Sequence, residues 1–73
     1  MNNFLAHILV VDDDDGIRSL VKKFLNENNF LVTTADNAED ASDKIKIIKF
    51  DLIVLDIMTV SYTHLTLPTI LLV

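Results

Sequence analysis

The chain has 73 residues, of which 51% are apolar and 23% charged, and its formal net charge is −5. This length allows at most one small domain, and the composition is that of a globular chain and not of a disordered one. The acidic balance argues against direct binding to nucleic acid or to acidic lipid, and the absence of cysteine excludes disulfides and thiolate metal sites. Because we find neither a signal-peptide pattern nor an apolar run of about 20 residues, we expect a cytoplasmic protein without a membrane partner.

The first part of the chain predicts a buried strand followed by an amphipathic helix. Apart from His7, residues 6–11 are apolar and rich in branched side chains without alternation, which is typical of a central parallel strand. Asp14 or Asp15 can cap the helix that follows, and Asn28 and Asn29 supply turn chemistry at its end. Its apolar residues recur at the spacing of one helical face, and they are Ile17, Leu20, Val21, Phe24 and Leu25.

The pattern then repeats. Residues 30–35 predict a second strand, Asp36 and Asn37 offer a cap, residues 38–49 predict a second helix, and residues 52–56 predict a third strand. The apolar face of the second helix consists of Ala38, Ala41, Ile45 and Ile48. Alternating strands and helices with short connections predict a right-handed, doubly wound α/β unit.

Acidic residues follow two of these predicted strands. Asp12 and Asp13 come directly after the first strand, and Asp56 ends the third. The carboxyl ends of parallel strands share one edge of the sheet, so we expect these carboxylates to converge. Since like charges at close range repel, a hard cation such as Mg²⁺ is needed to neutralise them, and the backbone carbonyl of Met58 could add a ligand. Such a site suits phosphoryl transfer with Asp56 as the nucleophile.

These motifs carry a resemblance to a known family. Residues 8–14, taken together with Asp56 inside residues 51–58, resemble the receiver domain of two-component response regulators. The resemblance covers residues 6–58 and implies a truncated, flavodoxin-like sheet with three parallel strands in the order 2-1-3 and helices on both faces. It also implies a module for phosphorelay signal transduction and not an enzyme. Such a module at most assists its own phosphorylation and dephosphorylation.

The resemblance also implies roles for individual residues and partners. Asp56 would be the phosphoacceptor, and Asp12, Asp13, Asp56 and the carbonyl of Met58 would bind Mg²⁺. The phosphoryl donor would be a phosphohistidine on a sensor histidine kinase or a phosphotransfer protein. An output domain, most often a DNA-binding domain that regulates transcription, would lie outside this chain.

The chain departs from the family after Met58. Receivers continue with two strands that bear a hydroxyl residue and a lysine in contact with the phosphoryl group. Here no lysine follows Lys49, and neither Thr66 nor Thr69 has the right context, so no switch residue is assigned. We therefore expect a truncated receiver that is phosphorylated weakly or not at all and does not switch.

The end of the chain resembles something other than a protein family. Residues 60–69 resemble the translation of a transposase-type sequencing adapter. We therefore expect residues 1–58 to be the truncated receiver and residues 59–73 to be a non-native tail. Within the tail, residues 69–73 could pair as a strand.

Two other interpretations of the acidic residues stay open. Asp13-x-Asp15-Gly16 after an apolar strand resembles the nucleophile motif of haloacid-dehalogenase-type phosphatases, with Asp13 as nucleophile and Asp15 as acid. That family prefers threonine or valine where Ile17 stands, and Asp56 would then lack an explanation. Alternatively, the chain is a non-functional, interaction-prone fragment whose third strand exposes an apolar edge.

Overall fold

The computed structural model describes residues 4–55 and 70–72, which form one parallel sheet flanked by two helices. The strand order is β2-β1-β3-β4, and every neighbouring pair is parallel. This confirms the predicted α/β fold with order 2-1-3 and adds a fourth strand beside β3. In chain order the elements are β1 (His7–Val11), α1 (Asp15–Glu27), β2 (Leu31–Ala35), α2 (Ala38–Ile47), β3 (Leu52–Leu55) and β4 (Ile70–Leu72).

Strands β1, β2 and β3 end level with one another. Val11, the last residue of β1, is opposite Ala35 of β2 and Leu55 of β3. The backbone N–H of Asp12 extends the ladder by donating to the carbonyl of Ala35 at 3.1 Å. Whatever follows each strand therefore leaves the sheet at the same edge.

Alternate residues of the strands form a core on each face of the sheet. On one face, α2 contributes Ala41 to a buried cluster, and the half-buried Ala38 and Ile45 of α2 and Ile48 just after it pack against that cluster. The cluster on this face consists of Leu9, Val11, Ala35, Ala41, Phe50, Ile53 and Leu55. On the other face, Ile8, Val10 and Val32 are buried, and residues of α1 pack against them. The helices thus cover opposite faces, as in a doubly wound fold.

Capping residues fix where both helices begin. Asp14 is the N-cap of α1, and its carboxylate accepts from the N–H of Ile17 at 3.0 Å. Asn37 caps α2 in the same way by accepting from the N–H of Asp40 at 2.7 Å. The predicted end of the second helix at residue 49 was wrong, because α2 ends at Ile47 and the next residue is extended, with φ −126° and ψ 134°. That residue, Ile48, turns its side chain onto the core.

Only part of the predicted apolar face of α1 is covered. Val21 and Leu25 pack on the sheet, whereas Ile17, Leu20 and Phe24 are 48%, 67% and 62% exposed. The sheet contacts α1 along a narrow stripe, which one i, i+4 pair fills. Within residues 4–55, neither helix is long and apolar enough to cross a bilayer.

The amino end of the sheet, opposite the aspartate edge, is closed by a reciprocal contact. The N–H of His7 donates to the Asp51 carboxylate at 2.8 Å, and the N–H of Asp51 donates to the carbonyl of His7 at 2.8 Å. The His7 ring also bonds to the Thr33 hydroxyl at 2.7 Å and meets Phe50 edge-on at 4.7 Å. These contacts fix the start of β1 against β2 and β3.

Candidate functional site

Asp12 is the one buried acidic residue in the described part of the chain. It follows β1 directly and is 7% exposed. One oxygen of its carboxylate, Oδ1, accepts from the N–H of Asp14 at 2.9 Å, which closes an Asx-type turn over Asp13. The turn holds the Asp12 carboxylate at the carboxyl edge of the sheet.

The four consecutive aspartates divide between two tasks. Asp14 caps α1, and Asp15 is the first residue of the helix, where the positive end of the dipole favours an acid. Asp12 and Asp13 lie before the helix, the first buried and the second exposed. The second half of the run therefore starts the helix, with Asp14 as the cap that was predicted at Asp14 or Asp15, and the first half lies at the sheet edge.

Arg18 contacts both ends of this run, which the sequence analysis did not predict. Its Nη1 donates to the backbone carbonyl of Asp12 at 2.7 Å, and its Nη2 pairs with the carboxylate of Asp15. The i, i+3 spacing to Asp15 is a signal that could have indicated the ion pair. The contact with Asp12 depends on the angle at which α1 leaves the sheet, and no sequence pattern encodes that angle.

Two of the four predicted site residues are placed by the structure. Asp12 and Asp13 lie together at the carboxyl end of β1, whereas Asp56 and Met58 fall outside the described residues. Among residues 4–55 and 70–72, no three His, Cys, Asp or Glu side chains come together as a metal site. The donors that are placed are carboxylate oxygens, one of them held by a backbone N–H, and such hard donors fit Mg²⁺.

Comparison with known proteins decides the family. The family model for the response regulator receiver domain matches residues 8–61. The chain belongs to this family. The match begins in β1 and includes the aspartates after β1 and Asp56.

Receiver-containing proteins from several bacteria are similar to this chain. PetR of Rhodobacter capsulatus is 50% identical over 52 residues, which are 71% of this chain and 22% of PetR. The transcriptional regulatory protein KdpE of Staphylococcus aureus is 46% identical over 52 residues, again 71% of this chain and 22% of the relative. A protein-glutamate methylesterase/protein-glutamine glutaminase of Bacillus licheniformis is 42% identical over 55 residues, which are 15% of its length. The chain thus spans less than a quarter of these relatives.

A solved structure agrees with the receiver fold. NtrX from Brucella abortus superposes with a TM-score of 0.69 and 40% identity, over 71% of this chain and 12% of that one. The matched range includes Asp56, a residue that the phosphatase interpretation left unexplained. The geometry also gives that interpretation no support, because Asp15, its predicted acid, is 88% exposed and paired with Arg18.

Proposed function

We propose that this receiver takes a phosphoryl group on Asp56, with Mg²⁺ bound by Asp12, Asp13, Asp56 and the carbonyl of Met58. The observation that supports this most directly is the register of β1 and β3, in which Val11 lies opposite Leu55. Asp12 and Asp56 are the next residues after that pair. Level strand ends favour a shared site for the two carboxylates.

The two described acids are suited to unequal parts in holding the cation. Asp12 is buried, and its carboxylate is already oriented by the N–H of Asp14, so it offers a fixed oxygen. The next residue, Asp13, is exposed, so its carboxylate can reach the cation directly or through water. When bound, Mg²⁺ supplies charge neutralisation between the carboxylates and the phosphoryl oxygens.

The proposed transfer needs little chemistry from the protein beyond position. A carboxylate oxygen of Asp56 forms a bond to phosphorus while the bond from phosphorus to the donor histidine nitrogen breaks. That nitrogen keeps the electron pair, and a proton carried by the other ring nitrogen leaves a neutral histidine on the donor. Catalysis of this kind rests on in-line placement and electrostatic stabilisation.

The partners follow from this role. The proposed donor is a sensor histidine kinase or a phosphotransfer protein, the kind of phosphoryl donor that receiver domains use. We also infer that the phosphoryl transfer takes place in the cytoplasm. Similarity to a transcriptional regulatory protein supports a DNA-binding output domain outside residues 1–73. The acidic chain itself is unsuited to nucleic acid, as its net charge of −5 indicates.

Labelling with a small phosphodonor tests the acceptor. The chain is incubated with acetyl phosphate with and without Mg²⁺, and the modified residue is located by mass spectrometry of peptides. We expect at most a weak Mg²⁺-dependent label on Asp56, in keeping with the impairment predicted from the sequence. Asp56→Asn should abolish it, and Asp43→Asn, on the exposed side of α2, should leave it unchanged. A robust label on Asp56 would contradict the predicted impairment but not the choice of acceptor. A label at Asp13, with turnover of phosphate esters, would contradict the proposal and favour the phosphatase.

The boundary of the natural sequence is a separate proposal. We propose that residues 59–73 are a non-native tail, on the strength of the adapter-like residues 60–69. The pairing of β4 with β3 in register Ile53 to Ile70 requires only a short apolar strand, which these residues offer in either case. Sequencing the source locus beyond the Met58 codon tests this, and finding residues 60–69 in the genome would contradict it.

A further inference from the structure

Arg18 is the side chain that ties the end of β1 to the start of α1. Its guanidinium donates from one nitrogen to the carbonyl of Asp12 and from the other to the carboxylate of Asp15. The side chain is 18% exposed although it sits on the first turns of an amphipathic helix. An arginine that is largely shielded from solvent and bonded to a backbone carbonyl makes a specific contact, unlike an arginine whose charge is solvated at the surface.

The carbonyl that Arg18 holds belongs to the peptide between the two proposed Mg²⁺ residues. The carbonyl of Asp12 and the N–H of Asp13 lie in one rigid plane, so a bond to the carbonyl fixes the direction in which the chain enters Asp13. On the other side, the N–H of Asp14 holds the Asp12 carboxylate. Asp12 is therefore held both through its backbone carbonyl and through its carboxylate, and the first of these contacts also orients the peptide that leads to Asp13.

We propose that Arg18 is a positioning residue of the candidate site, which pre-organises Asp12 and Asp13 for a divalent cation by holding the peptide plane between them. The inference rests on the proposed function for the cation and on the observed contacts for the positioning. Residues that orient metal ligands from outside the coordination shell raise affinity because the ligands need not be ordered on binding.

A positive charge near a cation site also acts in the opposite direction. The guanidinium would repel Mg²⁺, but the carboxylate of Asp15 is paired with it and offsets that charge. The ion pair itself is exposed on the Asp15 side, where such pairs contribute little. The charge-assisted bond to the Asp12 carbonyl is partly buried, so positioning is expected to outweigh repulsion.

The test compares Arg18→Gln, Arg18→Lys and the matched control Lys23→Gln, which removes the same charge at an exposed position of α1, in the full 73-residue chain. Mg²⁺ affinity is measured from amide chemical shifts of the Asp12 to Asp15 segment during titration with the metal alone. Amide hydrogen exchange in metal-free buffer reports the Asp14 N–H, which bonds to the Asp12 carboxylate, against Val10 within β1.

Positioning predicts a distinctive set of results. Arg18→Gln weakens Mg²⁺ binding by about tenfold, the lower end of the effect of outer-shell partners. Arg18→Lys weakens it comparably, since an ammonium keeps the charge but lacks the fork that spans both acceptors. Lys23→Gln changes it little. In both Arg18 variants the Asp14 amide exchanges faster while Val10 keeps its protection.

Other results overturn the inference. Tighter Mg²⁺ binding in Arg18→Gln would show that repulsion dominates, and wild-type affinity in Arg18→Lys would show that only charge matters. Faster exchange at Asp14 and Val10 together, including outright unfolding of the variants, would show a general structural role. If the wild-type chain shows no Mg²⁺-dependent shifts, the proposed function fails, whereas the exchange measurement still decides whether Arg18 holds Asp12.

Discussion

Replacing Asp14 with alanine should destabilise the chain without disabling the candidate site. The Asp14 carboxylate caps α1 through the N–H of Ile17 at 3.0 Å, and the substitution removes that acceptor. The backbone N–H of Asp14, which holds the Asp12 carboxylate, is unchanged by it. The variant therefore separates helix capping from cation binding within the aspartate run.

The expected loss follows from the exposed position of the cap. Loss of an N-cap side chain costs about 1 kcal/mol. A chain of this size is stable by about 4–11 kcal/mol, so the loss is a noticeable fraction of the whole. For a domain of roughly 60–100 residues, about 1 kcal/mol lowers Tm by about 4–8 °C.

Thermal unfolding followed by circular dichroism in EDTA measures this change, with Asp14→Asn as the matched control. Both variants lose the same charge, but asparagine caps a helix about as well as aspartate. Asp14→Asn should therefore lie within about 0.5 kcal/mol of wild type, the difference being the weaker interaction with the helix dipole. Mg²⁺ affinity should fall slightly, and equally, in both.

The comparison of the two variants can refute the capping argument. If Asp14→Asn lost as much Tm as Asp14→Ala, the charge and not the hydrogen bond would stabilise α1. If neither variant lost stability, the contact with Ile17 would carry no weight. If Asp14→Ala removed Mg²⁺ binding while Asp14→Asn kept it, the division of the aspartate run would be wrong.

Two further substitutions test the core and the edge of the sheet. Ile53 of β3 is fully buried, so Ile53→Ala should lower the free energy of unfolding in urea by about 2–5 kcal/mol. Ile47→Ala should lower it far less, because Ile47 is 81% exposed. Equal losses in the two variants would contradict the packing. Lys44 donates to the carbonyl of Thr34 on the edge strand β2, so Lys44→Met should lower the free energy of unfolding by about 1 kcal/mol and promote association in analytical ultracentrifugation. The control Lys46→Met, at an exposed position, should do neither. If the two variants behaved alike, Lys44 would not protect the edge.

Local patterns were sufficient for the elements of this fold. The unbroken apolar run before Asp12 predicted a strand buried on both faces, and the structure buries it on both. Asp14 and Asn37 were predicted as caps because their side chains bond to backbone a few residues away, an interaction that depends only on local conformation. The strand order 2-1-3 came from the resemblance to receiver domains, and the structure confirms it.

Other features depend on how the elements meet in space. The exposure of Leu20 and Phe24 reflects the width of sheet available to α1, which helical periodicity does not encode. Helix α2 ends at Ile47 because the next residue, Ile48, becomes extended and packs its side chain on the core.

The candidate site divides in the same way between sequence and tertiary structure. The sequence by itself determined which carboxylates reach the sheet edge, because strand ends and parallel pairing place Asp12 and Asp13 there. Only the tertiary structure decided how the pair is held, since the contact of Arg18 with the Asp12 carbonyl requires the docking angle of α1 on β1. Acidic residues that follow a strand can be placed at the sheet edge from the sequence alone, whereas the contacts that orient them depend on how the helix packs on the sheet.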